Sequence, residues 1–143
     1  MNDIELKKYL NGAPDDLVEA SFFEMTEASW TSLFKWLEGR VVFLECQYGR
    51  IPSSELSLEK FILGEMSYIV HVKSISGFEL SLSMIEKNEM TIDIEISEVS
   101  SENDSGKFIS SIKEIAAVLH STNHIICPEF DRQKTFYKNG EFV

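Results

Sequence analysis

The sequence predicts an α+β fold: an antiparallel β-sheet meander with two or three helices packed on one face. Three observations predict it. Between Tyr68 and Ser97, three runs alternate strictly between apolar and polar side chains, the pattern of strands with one face buried and one face open. The segments Trp30–Leu37 and Phe108–Leu119 instead repeat apolar residues every three to four positions, as a helix on a core does. The helices flank the meander and do not alternate with its strands, so a sheet with segregated helices is expected.

The elements follow in chain order. Residues 1–25 hold a short helical turn, a breaker cluster at Asn11-Gly12-Ala13-Pro14-Asp15, and an extended piece through Phe22-Phe23. Thr26 is placed to cap the first long helix, with Glu27 in the first turn where the helix dipole favours an anion. Trp30, Leu33, Phe34 and Leu37 form its apolar stripe. Gly39 suits the position just past its end, with Arg40 as a terminal cation. Val41 to Tyr48 reads as a strand closed by Gly49. Ser57 to Gly64 fits either a short helix or a strand.

In the meander, Tyr68, Val70 and Val72 share one face of the first strand. Phe78, Leu80, Leu82 and Met84 share one face of the second, and Met90, Ile92, Ile94 and Ile96 one face of the third. The opposite faces carry Glu79, Ser81 and Ser83, then Thr91, Asp93, Glu95 and Ser97. Ser76-Gly77 and Glu86-Lys87-Asn88-Glu89 are hairpin-sized connections. A Ser-rich loop from Ser100 to Gly106 leads to a helix that Asp104 or Ser105 can cap, with a broad stripe of Phe108, Ile109, Ile112, Ile115, Ala116 and Leu119, ending near Ser121. His124–Cys127 is a short strand stopped by Pro128, and Asn139-Gly140 between apolar runs signals a terminal hairpin.

With 143 residues, against a typical domain of about 150, residues 1–143 are expected to form a single domain. Composition agrees, at 43% apolar and 26% charged, close to the globular average. Charge is the departure. Asp and Glu number 24 against 13 Lys and Arg, for a net charge of −11. Nucleic-acid binding needs a cationic footprint on phosphate and is not expected; an anionic membrane surface is disfavoured on the same ground. The N-terminus Met1-Asn2-Asp3-Ile4-Glu5 has no leader pattern, and no window reaches the 18 or so apolar residues of a membrane span. The cytoplasm is the expected compartment.

Catalytic patterns are sparse. The glycine spacings match neither a dinucleotide fingerprint nor a phosphate loop, and no serine sits between glycines as in a hydrolase elbow. His120 and His124 are four apart with Cys127 three further on, but the helix should end between the histidines and a fourth ligand is missing. No metal and no cofactor are expected. His71 falls on the polar strand face as a lone exposed histidine, and His124 in a loop. Cys46 and Cys127 lie in apolar runs and are expected as buried, reduced thiols. So few nucleophile and base candidates do not point to an enzyme.

The acids are concentrated. From Glu86 to Asp104, Glu86, Glu89, Asp93, Glu95, Glu98, Glu102 and Asp104 stand against Lys87 alone, a net charge of −6 in 19 residues. Asp93 and Glu95 share a strand face that Glu79 joins if the second and third meander strands pair. Like charges on neighbouring strands are mildly destabilising, so this face is a candidate surface for a cationic partner, with a merely solvated face as the alternative. Glu129 and Asp131 are candidates to extend it. Trp36 lies roughly 60° off the helix stripe. It is either a flank of the core or an exposed anchor of the kind that dominates binding hot spots; Tyr137 poses the same choice.

The closing segment, a helix followed by His124-Ile125-Ile126-Cys127-Pro128-Glu129-Phe130 and then Phe136-Tyr137-Lys138-Asn139-Gly140-Glu141, resembles the C-terminal ends of several immunity protein families of bacterial polymorphic toxin systems, including contact-dependent growth inhibition. The short, acidic α+β chain without a catalytic motif is similar to them in type. The resemblance implies a cytoplasmic protein, monomeric rather than dimeric, that neutralises a cognate toxin domain, often a basic nuclease, by binding. The alternative is an acidic type III secretion chaperone or another protein-binding adaptor. Those chaperones are also small, acidic and α+β, but they typically continue into a C-terminal helix and dimerise, whereas this chain ends in strand-like Phe142-Val143.

Overall fold

The structure, a computed structural model, describes residues 17–73, 79–95, 102–128 and 131–143. Among these, strands β1 (Leu17–Phe22), β2 (Val41–Cys46), β3 (Gly49–Ile51), β4 (Tyr68–Lys73), β5 (Glu79–Met84), β6 (Met90–Glu95), β7 (His124–Pro128), β8 (Tyr137–Lys138) and β9 (Glu141–Phe142) form one sheet. Helices α1 (Glu27–Leu37), α2 (Leu58–Ile62) and α3 (Glu102–Leu119) complete the fold. The strand order is β3-β2-β4-β5-β6-β1-β7-β8-β9, and every pairing is antiparallel. The α+β meander expected from the alternation is therefore present, with β4, β5 and β6 as its consecutive strands.

Register aligns the apolar positions. Tyr68, Val70 and Val72 lie opposite Met84, Leu82 and Leu80, and Leu82 lies opposite Ile92. Ile92 in turn faces Ala20, which faces Ile126. All are buried, in one cluster with Trp30, Leu33 and Leu37 of α1, Phe61 of α2, and Phe108, Ile112, Ile115 and Leu119 of α3. One sheet face is thus covered by the three helical stripes. Burying a side chain of this size stabilises by about 1.5–3 kcal/mol, which is why the period-two and period-3.6 patterns govern the architecture.

The local signals act as expected at several ends. Thr26 Oγ1 accepts the Ser29 N–H at 3.2 Å and Ser29 Oγ accepts the Thr26 N–H at 3.2 Å, a reciprocal cap on α1. Gly39 follows the helix with φ +76°. Asn139 and Gly140 adopt φ +51° and +95°, as a two-residue hairpin turn between twisted strands requires.

Other points differ from the sequence reading. Gly49 does not close β2. The chain turns at Gln47-Tyr48 and returns from Gly49 as the edge strand β3. The Gln47 side chain braces that turn, donating to the Glu65 carbonyl at 3.0 Å and accepting the Ser67 N–H at 2.9 Å. The ambiguous 57–64 segment is the helix α2, because Ser57 Oγ caps it through the Lys60 N–H at 3.2 Å. Helix α3 starts at Glu102, ahead of the expected caps Asp104 and Ser105. Pro128 is the last residue of β7, opposite Val18, a strand end at which a missing N–H is tolerated. The extended piece ending at Phe22 is β1, and it lies at the sheet centre, between β6 and β7. The Ser-rich loop expected over residues 100–106 is helix from Glu102 onward. The helical turn and breaker cluster before residue 17, the Ser76-Gly77 connection, Phe78, Ile96, Ser97 and residues 100–101 lie outside the described residues.

His124 begins a strand, as the run His124–Cys127 predicts, and does not lie in a loop after the helix. It is 5% exposed in β7, its ring 5.4 Å from that of Phe22 and its Nδ1 sharing a hydrogen bond with Ser121 Oγ at 3.1 Å. Burial holds its pKa below the ordinary 6.5. The unfolded chain therefore binds the proton first, and stability present above about pH 6.5 falls as the pH drops towards the lowered folded value. Urea unfolding at about pH 7.5 and about pH 5.5 should show a smaller acid-induced loss for His124→Gln than for the wild type. Tyr137 is fully buried, which places it in the core.

Candidate partner-binding face

The sheet face opposite the helices carries the polar half of each alternating strand. Pairing sorts these side chains into cross-strand rows. One row runs Cys127, Glu19, Asp93, Ser81, His71, Phe43 across β7, β1, β6, β5, β4 and β2. The next runs Ile125, Ser21, Thr91, Ser83, Ile69, Glu45, Arg50, ending on β3.

Two acidic residues are neighbours in the first row. Glu19 and Asp93 are directly opposite each other on neighbouring strands. Ser21 donates to Glu19 Oε1 at 2.9 Å, and one oxygen of Asp93 is buried. Further along, Ser81 Oγ and His71 Nδ1 share a hydrogen bond at 3.0 Å. The His71 ring stacks on Phe43 at 3.8 Å with 12° between planes, and the Arg50 guanidinium covers Phe43 at 4.6 Å. Glu45 Oε1 lies 3.8 Å from His71 Nε2. His71 is 17% exposed and is not the lone exposed histidine expected, because the pairing of β2 with β4 puts an aromatic ring against it. The face therefore presents Glu19, Asp93 and Glu45 on a framework of stacked rings and hydroxyls.

Cys127 closes the row at β7, fully buried. Burial first, and then the Glu19 carboxylate, pushes its thiol pKa up to about 11, so it stays protonated and inert at neutral pH. Cys46 is also a free thiol but is only half-buried, less than its apolar run implied, because β2 has just the short β3 on its outer side.

Asp93 joins Glu19 at the centre of the face. Glu95 occupies the end of β6, opposite Leu17. Glu79 is exposed at the start of β5, opposite Lys73 of β4. Asp131 begins the turn Arg132–Lys134, 3.7 Å from Lys134 Nζ, and acts electrostatically on Cys127. Glu102 and Asp104 stand in the first turn of α3, in the helix layer. Glu98 and Glu129 lie outside the described residues. Trp36 is half-buried in the helix layer, its indole N–H donating to Glu114 Oε1 of α3 at 3.1 Å and its ring covered by Arg40 at 4.8 Å. The structure does not bring it to the acidic face. Glu19 and Glu45 were missed by sequence reasoning, although Val18-Glu19-Ala20-Ser21-Phe22 does alternate; only the central place of β1 aligns Glu19 with Asp93.

Among the described residues, no three His, Cys, Asp or Glu side chains gather as a metal-ligand set, and no helix is long and apolar enough to cross a membrane. No protein-family model and no curated protein matches the sequence. Structure comparison does find a match, covering 90% of this chain and 97% of the other, with a TM-score of 0.58 and 16% identity. The fold is similar to that of a chain from a toxin–immunity complex. The matching chain belongs to the 1.75 Å crystal structure of the toxic C-terminal tip of CdiA from Pseudomonas aeruginosa in complex with immune protein. The resemblance to contact-dependent growth inhibition immunity proteins, first drawn from the closing segment and the acidic α+β character, meets a likeness to the CdiA complex in the fold as a whole.

Proposed function

We propose that this chain is an immunity protein that binds and neutralises a cognate toxin domain. The carrying observation is the likeness in fold to a chain of the CdiA toxin–immune protein complex over nearly the full length of both. A net charge of −11 suits the inhibitor's side of such a pair, since a nuclease-type toxin must be cationic to approach phosphate. The acting surface is the open sheet face, centred on Glu19 and Asp93 and extended by Glu45, Glu79 and Glu95. Glu19 and Asp93 stand opposite each other in register, where a Lys or Arg from the toxin meets two acids of neighbouring strands. Inhibition is by occupation of the toxin's cationic surface, without catalysis, by a cytoplasmic monomer. An interface of about 800 Å² per partner fits on one sheet face.

The test is protection. With the product of the adjoining reading frame as the candidate toxin, its production alone should arrest growth; co-producing this chain should restore it, and the two proteins should co-purify. Arrest that persists while the chain accumulates in soluble, folded form overturns the reading.

A further inference from the structure

One rim of the sheet is built from three neighbouring connections: the β2–β3 turn, the segment between α2 and β4, and the β5–β6 loop. Three of the five large apolar side chains exposed among the described residues stand there, Tyr48 at 85%, Leu63 at 63% and Ile85 at 65%. Single exposed apolar residues are ordinary. These three sit on loops tied to one another. Gln47, beside Tyr48, bonds the backbone at Glu65 and Ser67. Lys87, two residues from Ile85, donates through Nζ to the Ile62 carbonyl next to Leu63 at 3.1 Å.

The β5–β6 loop is held from further sides. Trp30 Nε1 donates to the Lys87 carbonyl at 2.7 Å, the Met25 N–H donates to the Asn88 carbonyl at 3.0 Å, and Glu89 pairs with Arg132. Its apolar residue is therefore displayed on a preorganised support, and ordering it on binding costs little. Beside it, on the open face, is a pocket of about 200 Å³ lined by Ser83, Ile85, Glu86, Glu89 and Thr91. That is below the roughly 300–1,000 Å³ of small-molecule sites. With Glu89 held by Arg132, the Ile85 wall and the Glu86 carboxylate match the stem and the charged head of a single Lys or Arg side chain. Ser83 and Thr91 belong to the row beside Glu19 and Asp93, so the pocket is continuous with the acidic face.

We infer that this rim anchors the partner. Tyr48, Leu63 and Ile85 seat against an apolar patch of the cationic toxin domain, and a Lys or Arg from that patch's border enters the Ile85–Glu86 pocket. The inference rests on the reading of the chain as an immunity protein and assigns the two surfaces different work. The acids on the open face speed encounter, while the rim slows dissociation.

The experiment measures association and dissociation rates against the toxin domain identified by the protection test, carrying an inactivating substitution. Tyr48→Ala combined with Ile85→Ala should raise Kd at least about tenfold through faster dissociation, with the association rate unchanged. Val143→Ala removes an equally exposed side chain at the opposite end of the sheet and should leave both rates alone. All three side chains are exposed, and unchanged melting curves will show the variants folded. Wild-type dissociation by the Tyr48/Ile85 variant overturns the rim while leaving the immunity reading intact. Absence of binding by the wild type overturns both.

Discussion

Replacing Trp30 with alanine lowers the stability of the fold by about 3–5 kcal/mol. Trp30 is 1% exposed, its ring lies 4.5 Å from that of Phe61, and its indole N–H donates to the Lys87 carbonyl. The substitution leaves a large cavity where α1, α2 and the sheet meet, and it strips a carbonyl of its donor. A domain of this size has about 5–15 kcal/mol in total, so the melting temperature should fall by about 10 °C or more. Trp30→Phe separates the two losses: it retains most of the volume and should cost about 1–2 kcal/mol. The bond also holds the β5–β6 loop, so Trp30→Phe, still folded, should bind the proposed toxin partner more weakly. A melting temperature for Trp30→Ala within a degree or two of the wild type would show that Trp30 does not join these elements.

The second large effect is on binding. Glu19→Lys should leave folding stability within about 1 kcal/mol of the wild type, because it replaces a like-charge pair with an attractive one opposite Asp93. The Ser21 hydroxyl loses its acceptor on Glu19, which offsets part of that gain. The same change puts a cation at the centre of the face proposed to meet a basic toxin. Steering by charge changes association rates by factors of about 10–10³ and fades with salt. Glu19→Lys should therefore slow association at least about tenfold at low ionic strength, and the gap to the wild type should close as the Debye length shrinks. Stopped-flow measurements across a salt series check this. Equal rates at low salt would remove the open face from the interface.

Much of the fold was legible because it follows from side-chain periodicity. The alternation in β4, β5 and β6 and the stripes of α1 and α3 each specify which face is buried, and the structure buries those faces. Caps and turns with dedicated residue types, Thr26 and Asn139-Gly140, were legible for the same reason: the local backbone geometry demands those side chains. The β2–β3 hairpin was hidden because β3 has only three residues, too few for a period to emerge. The start of α3 was misplaced because several polar residues compete as caps in 100–105.

The candidate site divides along the same line. The sequence by itself determined an acidic chain whose third meander strand sets Asp93 on a polar face. Only the tertiary structure decided that β1 inserts between β6 and β7, bringing Glu19 opposite Asp93 across 74 positions of chain, and that β2 pairs with β4, wrapping His71 in Phe43 and Glu45. It also decided that Trp36 is spent on the α1–α3 seam and that Tyr48, Leu63 and Ile85 share one rim. The physical reason is that periodicity is a property of neighbours along the chain and fixes only which side of an element faces inward. Which elements lie beside one another, and so which outward side chains meet, depends on long-range pairing that local sequence does not encode.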